Sequence, residues 1–442
     1  WVDMDNPYVT YQTKYMETVW WILKQFYDQG LIYKGYTIQP FSPAAGTGLS
    51  SHELNQPGTY KMVSDTTIVA QFLFEPGQSV AGESLPERTF GLAWTTTPWT
   101  LPSNTALGVG PNIDYVLVKT LNPYTREAQY VILAEARLQA YFDADWKQAW
   151  DKAEDKSRKV PWEVLRSFKG KELQGLRYRQ LMPYAQPEEG KAFQVISGDF
   201  VTTEDGTGMV HLAPSFGADD FKTAKEHGIG SLTLVDRRGR FTQEVSDFAG
   251  EYVKEAYLTE EEKTEGYESV DVRIAVKLKQ EGKAFKIEKY EHTYPHCWRT
   301  DKPVLYYPLD SWFVRTTAMK ERLLELNKEI NWRPPSTGTG RFGQWLENLQ
   351  DWNLSRSRYW GIPLPIWRTK DGKEERCIGS VSELLEAIED SVRAGIMHKN
   401  PYGDLKHDPD YASIDLHRPF VDEVVLVSPT GQAMYRELDL ID

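Results

Sequence analysis

The chain has 442 residues, with 51 Lys and Arg against 64 Asp and Glu, and so a formal charge of −13. Hydrophobic residues make up 40% and charged residues 26%, a globular balance that excludes a disordered chain, and no apolar run approaches the ~20 residues of a membrane span. Two cysteines, Cys297 and Cys377, exclude a disulfide framework and predict a reducing compartment, while the acidic balance argues against a general nucleic-acid coat but not against a local basic groove.

At roughly 150 residues per domain the length fits two to four domains. The 15 Trp, 24 Tyr and 17 Phe need large packed interiors or stacking surfaces. Trp1 leads into the polar, acidic Val2-Asp3-Met4-Asp5-Asn6, which is neither a signal peptide nor a natural start, so the sequence reads as a piece of a longer chain.

Met16, Val19, Trp20, Leu23, Phe26 and Tyr27 recur at helical spacing and predict a helix over 14–29, with Gly30 at its C-terminal cap. Leu31 to Tyr33 follows as a short strand. From Phe41 to Gly58 the composition turns to Ser, Pro, Ala, Gly and Asn, predicting a loop and a domain boundary. From Thr66 the pattern is β, with Ile68, Ala70, Phe72 and Phe74 alternating with Val69, Gln71 and Leu73. Further strands are predicted at 90–97, 115–119, 129–133, 192–196 and 207–212. Trp146 to Arg166 reads as polar and helical, 217–227 as a short helix ended by Gly228, and Ala318 to Asn327 as the clearest later helix. The layout is a β-rich module inserted between two mixed segments.

Two clusters carry chemistry. In Trp94-Thr95-Thr96-Thr97-Pro98-Trp99-Thr100-Leu101-Pro102-Ser103-Asn104 a strand is expected to end at Pro98, which has no N–H for the ladder. Three successive hydroxyls on a strand edge are ordinary for threonine. Their lead into a rigid turn between two tryptophans suits holding a polar ligand or a water against an apolar wall. The second cluster is Asp205-Gly206-Thr207-Gly208-Met209-Val210-His211-Leu212-Ala213-Pro214, followed by Gly217 and a helix whose first turn carries Asp219 and Asp220. Those acids also suit the helix dipole, and a half-buried histidine is common. Gly206-Thr207-Gly208 is a weak phosphate signal without a Walker lysine. No Ser-His-Asp elbow, His-Glu-x-x-His or Cys-x-x-Cys is present, so hydrolysis here would use neither a covalent nucleophile nor a bound metal.

Together the two clusters resemble the editing insertion (connective peptide 1) of the isoleucyl-tRNA synthetase family. The resemblance spans most of the chain. It includes Asp3-Met4-Asp5-Asn6-Pro7-Tyr8, Gly30-Leu31-Ile32-Tyr33-Lys34-Gly35, Tyr294-Pro295-His296-Cys297-Trp298-Arg299 and Asp351-Trp352-Asn353-Leu354-Ser355-Arg356-Ser357-Arg358-Tyr359-Trp360-Gly361-Ile362-Pro363. Valyl and leucyl relatives usually carry Thr-Thr-Arg-Pro-Glu-Thr where this chain has Thr95-Thr96-Thr97-Pro98-Trp99-Thr100.

The resemblance implies an α/β fold, with a β-rich, barrel-like editing domain at 61–290 inserted between core segments 1–60 and 291–442 of a class I, Rossmann-type synthetase. The family's ATP motifs, His-x-Gly-His and Lys-Met-Ser-Lys-Ser, are absent, so no cofactor is expected for this fragment, whereas the full-length ligase uses ATP and magnesium. Some relatives bind zinc with four cysteines at the insertion's neck. The corresponding positions here are Ser42, Ala45, Cys297 and Thr300, and one thiolate cannot make that site, so no zinc is expected. Packing by Phe41 and Trp298 is expected in its place.

The implied substrate is valine esterified to the 3′ end of tRNA(Ile), or valyl-adenylate, cleaved in the cytoplasm by a monomer with no membrane contact. A first pocket cannot exclude valine strongly, because one missing methylene is worth only ~1–3 kcal/mol, a limit for which this amino-acid pair is the standard example. Family resemblance gives Asp220 the substrate ammonium and His211 the wall against isoleucine. Trp94, Thr95, Thr96 and Thr97 take the ester and terminal adenosine, Gly206, Thr207 and Gly208 the nucleotide, and Asn104 a place behind them. Thr95, Thr96, Thr97 and Asp220 are thus the catalytic candidates, with a positioned water as nucleophile. A tRNA-binding module without hydrolysis, and a valyl- or leucyl-type editing domain, remain the competing readings.

Overall fold

The computed structural model describes residues 3–441 except 6, 155–157, 265, 406, 409 and 410. Trp1, Val2, Asn6 and Asp442 lie outside the described residues. The chain packs as two compact units, one of 1–36 with 310–442 and one of 37–309.

The first unit is α/β. Helix α1, Thr13–Asp28, buries Met16, Trp20 and Leu23 at the predicted spacing and gives way to Gly30 at φ +70°. The Trp20 ring meets Trp367 edge-on at 6.3 Å, and its indole N–H donates to the Pro363 carbonyl at 2.8 Å. Strands Ile366–Thr369, Glu375–Cys377, Val425–Val427 and Ala433–Arg436 form an antiparallel sheet beside them.

The second unit is built on nine strands: β1 Tyr60–Leu73, β2 Thr89–Thr95, β3 Ala106–Val109, β4 Asp114–Leu121, β5 Ala128–Ala134, β6 Trp162–Lys169, β7 Gln194–Ser197, β8 Met209–Leu212 and β9 Ala284–Pro295. The main order is β6-β4-β5-β2-β8-β3-β7, with β1 on β2 and β9 on β1. Both faces are covered, which is why these strands read as nearly continuous apolar runs. Ile68, Ala70, Phe72, Leu117 and Ile132 join one buried cluster; Val69, Leu92, Val116, Val118, Val131 and Leu133 join another. Each such side chain stabilises the fold by ~1.5–3 kcal/mol when fully buried. Helix α2, Ala218–Glu226, follows β8. Helix α3, Val270–Gln280, is capped by the Ser269 hydroxyl and buries Ile274 and Leu278 against the first cluster.

Strand β2 is the point at which the sheet curls. Thr89, Phe90 and Gly91 pair with β5, whereas Trp94 pairs with β8. The two neighbours therefore diverge from one edge of β2, and the functional cavity opens beside its C-terminal end.

Several expectations are corrected. The predicted helix over 146–166 does not form among the described residues of that segment, which hold two short 3-10 turns, Ala144–Trp146 and Trp150–Lys152, and edge strand β6. Trp162 and Phe168 are buried there while Glu163, Arg166 and Lys169 suit an exposed edge, so the charges mark an edge strand rather than a helix. Strand β2 ends at Thr95, before Pro98, because the Thr95 hydroxyl captures the Thr97 N–H at 3.1 Å. The segment 41–58 is no simple loop: a strand runs to Ser42, and Phe41 packs on Tyr307 at 5.4 Å. Trp298 is half exposed and does not fill the neck; Leu49, Leu54 and Val304 surround buried Cys297, and Ser42 Oγ takes the Ala45 N–H at 3.2 Å. Among the described residues no helix is long and apolar enough to cross a membrane.

Candidate functional site

A cavity of about 340 Å³ opens at the end of β2 and is lined by Trp94, Thr95, Thr96, Thr97, Gly206, Thr207, Gly208, His211 and Asp220. Nine of the ten residues singled out in the sequence thus meet there, although the two clusters are about a hundred positions apart. The tenth, Asn104, lies behind the wall.

The threonine side is a hydroxyl cluster on a rigid turn. After Thr95 the chain enters a 3-10 turn, Pro98–Ser103, that is buried throughout. Thr95 and Thr97 hydroxyls are 3.2 Å apart, and the Thr97 hydroxyl is 3.5 Å from that of Thr100. The turn is tied at its base: Asp271, in the first turn of α3, accepts the Trp99 N–H at 2.9 Å.

His211 forms the facing wall from β8, 7% exposed. Burial holds its imidazole far below the ordinary value, at about 3, so the ring is neutral. Nδ1 lies 2.9 Å from Asn104 Nδ2 and Nε2 lies 2.9 Å from Thr100 Oγ1. The Asn104 amide nitrogen also donates to the Ala106 carbonyl at 2.9 Å, an atom that only accepts, so this nitrogen is fixed as the donor to Nδ1. The ring proton then sits on Nε2, pointing at Thr100. With no free lone pair, His211 is not placed to act as a general base.

Asp220 is one of two carboxylates that line the cavity, with Asp205. It stands in the first turn of α2, where its Oδ2 accepts the Ala213 N–H at 2.9 Å. Burial pushes its carboxyl up to about 6, against the pull of that hydrogen bond. A half-buried carboxylate that accepts a backbone N–H is suited to pair with a cation.

The glycines answer mainly to packing. Gly208 adopts φ +75°, and a Cβ on it would lie 2.3 Å from the Ala134 Cβ. Gly206 adopts φ +64°, and a Cβ on it would lie 3.2 Å from the Trp94 ring. The Thr207 side chain turns into the fold, donating to the Leu92 carbonyl at 2.5 Å, so its hydroxyl is not presented to a ligand. Arg137 holds this loop from outside, donating to the carbonyls of Gly206 and Glu204 at 2.8 and 2.9 Å.

Sequence reasoning gave no site role to Thr100, Phe200, Thr202, Asp205, Met209, Val210, Ala213 and Phe216, which also line the cavity. Thr100 was legible as the fourth hydroxyl of its cluster; Phe200 and Thr202 come from an irregular loop and carried no signal. Among the described residues no three His, Cys, Asp or Glu side chains are grouped to hold a metal ion.

Residues 1–414 match the model of the tRNA synthetases class I (I, L, M and V). The chain is 60% identical to an isoleucine--tRNA ligase of Cytophaga hutchinsonii, covering 100% of this chain and 40% of that protein. It is 55% identical to that of Porphyromonas gingivalis, covering 100% of this chain and 41% of the relative. The chain therefore spans about 40% of the length of these curated relatives. Among solved structures, the editing domain of the P. knowlesi cytosolic leucyl-tRNA synthetase aligns at TM-score 0.30 and 14% identity over 54% of this chain and 98% of that one.

Proposed function

The chain belongs to the class I tRNA synthetases (I, L, M and V), and from that premise we propose that its 37–309 unit is an editing module that hydrolyses valine mischarged onto tRNA(Ile). The observation that carries this reading is one cavity lined by a half-buried carboxylate, a neutral imidazole and a hydroxyl-bearing strand end. Asp220 pairs with the substrate ammonium, a charge-assisted contact of about 1.5–3 kcal/mol. His211 sets the depth of the side-chain pocket, so that valine fits and isoleucine does not. Trp94 and the Thr95–Thr97 edge receive the ester and terminal ribose, and the backbone at Gly206–Gly208 flanks the nucleotide.

An aminoacyl ester is already activated, so a water held by the threonine hydroxyls suffices as nucleophile when it is correctly oriented. Neither His211 nor an ammonium-bound Asp220 is free to take its proton. Within this reading the water's proton passes to the departing ribose oxygen, relayed by the neighbouring ribose hydroxyl as that hydroxyl gives up its own proton.

The 60% and 55% identity to isoleucine--tRNA ligases supports the reading that the chain is part of such a ligase, whose ligase reaction would use ATP and magnesium. Its partner is tRNA(Ile), its compartment the cytoplasm, and its neck needs no zinc because Cys297 is the one thiol there. Incubating the chain with Val-tRNA(Ile) and Ile-tRNA(Ile) tests the reading. Release of valine but not isoleucine is expected; binding of tRNA without release would leave a binding module, and preferential cleavage of Thr-tRNA(Val) would make it a valyl-type site.

A further inference from the structure

Behind the cavity wall, polar groups form a continuous hydrogen-bonded series with one direction. Tyr178, 1% exposed, donates its hydroxyl to Asn104 Oδ1 at 2.7 Å. Asn104 Nδ2 donates to His211 Nδ1, and His211 Nε2 reaches Thr100 Oγ1, both at 2.9 Å. Thr100 then donates to the Thr97 carbonyl at 2.8 Å. That carbonyl only accepts, so the far end fixes the direction. At the near end, deep burial keeps the Tyr178 phenol protonated and able only to donate to the amide oxygen in this arrangement.

We propose that Tyr178 is a positioning residue of this site, which through Asn104 holds His211 as the Nε2–H tautomer with its ring fixed against Thr100. This rests on the editing reading, in which that ring is the wall that measures the substrate side chain. Without the phenol, Asn104 Oδ1 becomes a buried acceptor with no donor. Rotating the amide toward His211 would satisfy the oxygen by taking a proton from Nδ1, at the cost of the bonds Nδ2 makes to the Ala106 carbonyl at 2.9 Å and the Leu212 carbonyl at 3.3 Å, so the rotated form is one part of a mixture. The ring would then change tautomer, lose its donor to Thr100 and lose its fixed plane.

The test uses the whole chain with 15N-labelled histidine and the substitution Tyr178→Phe. Phenylalanine keeps the ring contacts to Phe72 at 5.4 Å and Phe193 at 6.2 Å, so the core stays filled. His211→Gln identifies the His211 signals among the 8 histidines. The native protein should show a neutral Nε2–H ring, and Tyr178→Phe should show a mixture with Nδ1–H. In parallel the ratio of valyl to isoleucyl ester cleavage should fall about tenfold, the scale of one unsatisfied buried acceptor. An Nδ1–H ring in the native protein overturns the proposal. So does a Tyr178→Phe ring of unchanged tautomer, whatever the change in melting temperature. If the native chain cleaves no valyl ester the editing reading fails, and the nitrogen spectra still decide the role of Tyr178.

Discussion

A Cβ built on Gly217 would lie 2.7 Å from the Asp220 carboxyl carbon, so the missing side chain at 217 is what lets the carboxylate fold back over the start of its own helix. The position is not a matter of backbone strain, since Gly217 is extended at φ −144°. Gly217→Ala should therefore displace Asp220 without unfolding the unit. Hydrolysis of Val-tRNA(Ile) should drop through KM more than through kcat, and a crystal structure of the variant should find the carboxylate moved out of the cavity.

Asp220 itself should impose a pH dependence of known sign. Its folded value of about 6 lies above the ordinary 3.8, so the folded state holds the proton more tightly than the unfolded one. Its contribution to stability is fully present below about pH 4 and is lost as pH rises through 6, by up to about 3 kcal/mol. Asp220→Asn should melt higher than the native protein at about pH 8 and match it near pH 4, while losing valyl ester cleavage. Equal melting temperatures at both pH values would show that the carboxylate is better solvated than its burial implies.

His211 carries the opposite sign. Its folded value, about 3, lies below the ordinary 6.5, so its contribution is present above pH 6.5 and is lost as pH falls toward 3. Replacing it by Gln should flatten the acid side of the stability curve in thermal melts at stepped pH. Truncation to Ala should instead enlarge the cavity and admit isoleucine, with Ile-tRNA(Ile) deacylated at a rate comparable to Val-tRNA(Ile). Discrimination that survives truncation would move the size filter elsewhere.

The two loop glycines separate packing from ligand contact. Gly208→Ala meets the Ala134 Cβ at 2.3 Å and also adopts φ +75°, whereas Gly206→Ala meets only the Trp94 ring at 3.2 Å. A positive φ alone costs an alanine ~1–2 kcal/mol. Gly208→Ala should lose more than this in urea melts, and Gly206→Ala about this amount, with a raised KM for the nucleotide-bearing substrate. If both variants melt alike, the contact with Ala134 is easily relieved.

How much of this was legible depended on whether a residue's role was local. The α1 periodicity, the alternation in β1 and the stops at Gly30 and Gly228 are local, and the structure keeps them. The convergence of Thr95–Thr97 with His211 and Asp220 was read from a family resemblance, because no periodicity reports that β2 pairs with both β5 and β8. Edge strand β6 was misread since charge on a strand edge and charge on a helix face look alike without the partner strand. Tyr178 gave no signal at all: its role is a hydrogen bond to a residue 74 positions earlier.

The base of the threonine turn should be sensitive to charge rather than to hydrogen bonding alone. Asp271 Oδ1 accepts the Trp99 N–H, and its Oδ2 lies 3.5 Å from the buried Lys254 ammonium. That ammonium is 3.3 Å from Asp65, which in turn is 3.1 Å from His292. Removing one partner of a buried pair costs about 3–5 kcal/mol when the other charge is left without compensation, and Asp65 still faces the Lys254 ammonium at 3.3 Å. Asp271→Ala should therefore destabilise the unit by less than that range and, by freeing the Trp99 N–H, disorder the turn that carries Thr97 and Thr100. Asp271→Asn keeps an acceptor for Trp99 and should be destabilised but still hydrolyse the valyl ester. Adding Lys254→Met to Asp271→Asn removes the buried ammonium that has lost one of its two carboxylates and should restore part of the lost melting temperature. If the double variant melts below both single ones, the ion cluster contributes through packing of the lysine stem, and the turn owes its position to Trp99 and Pro98 alone.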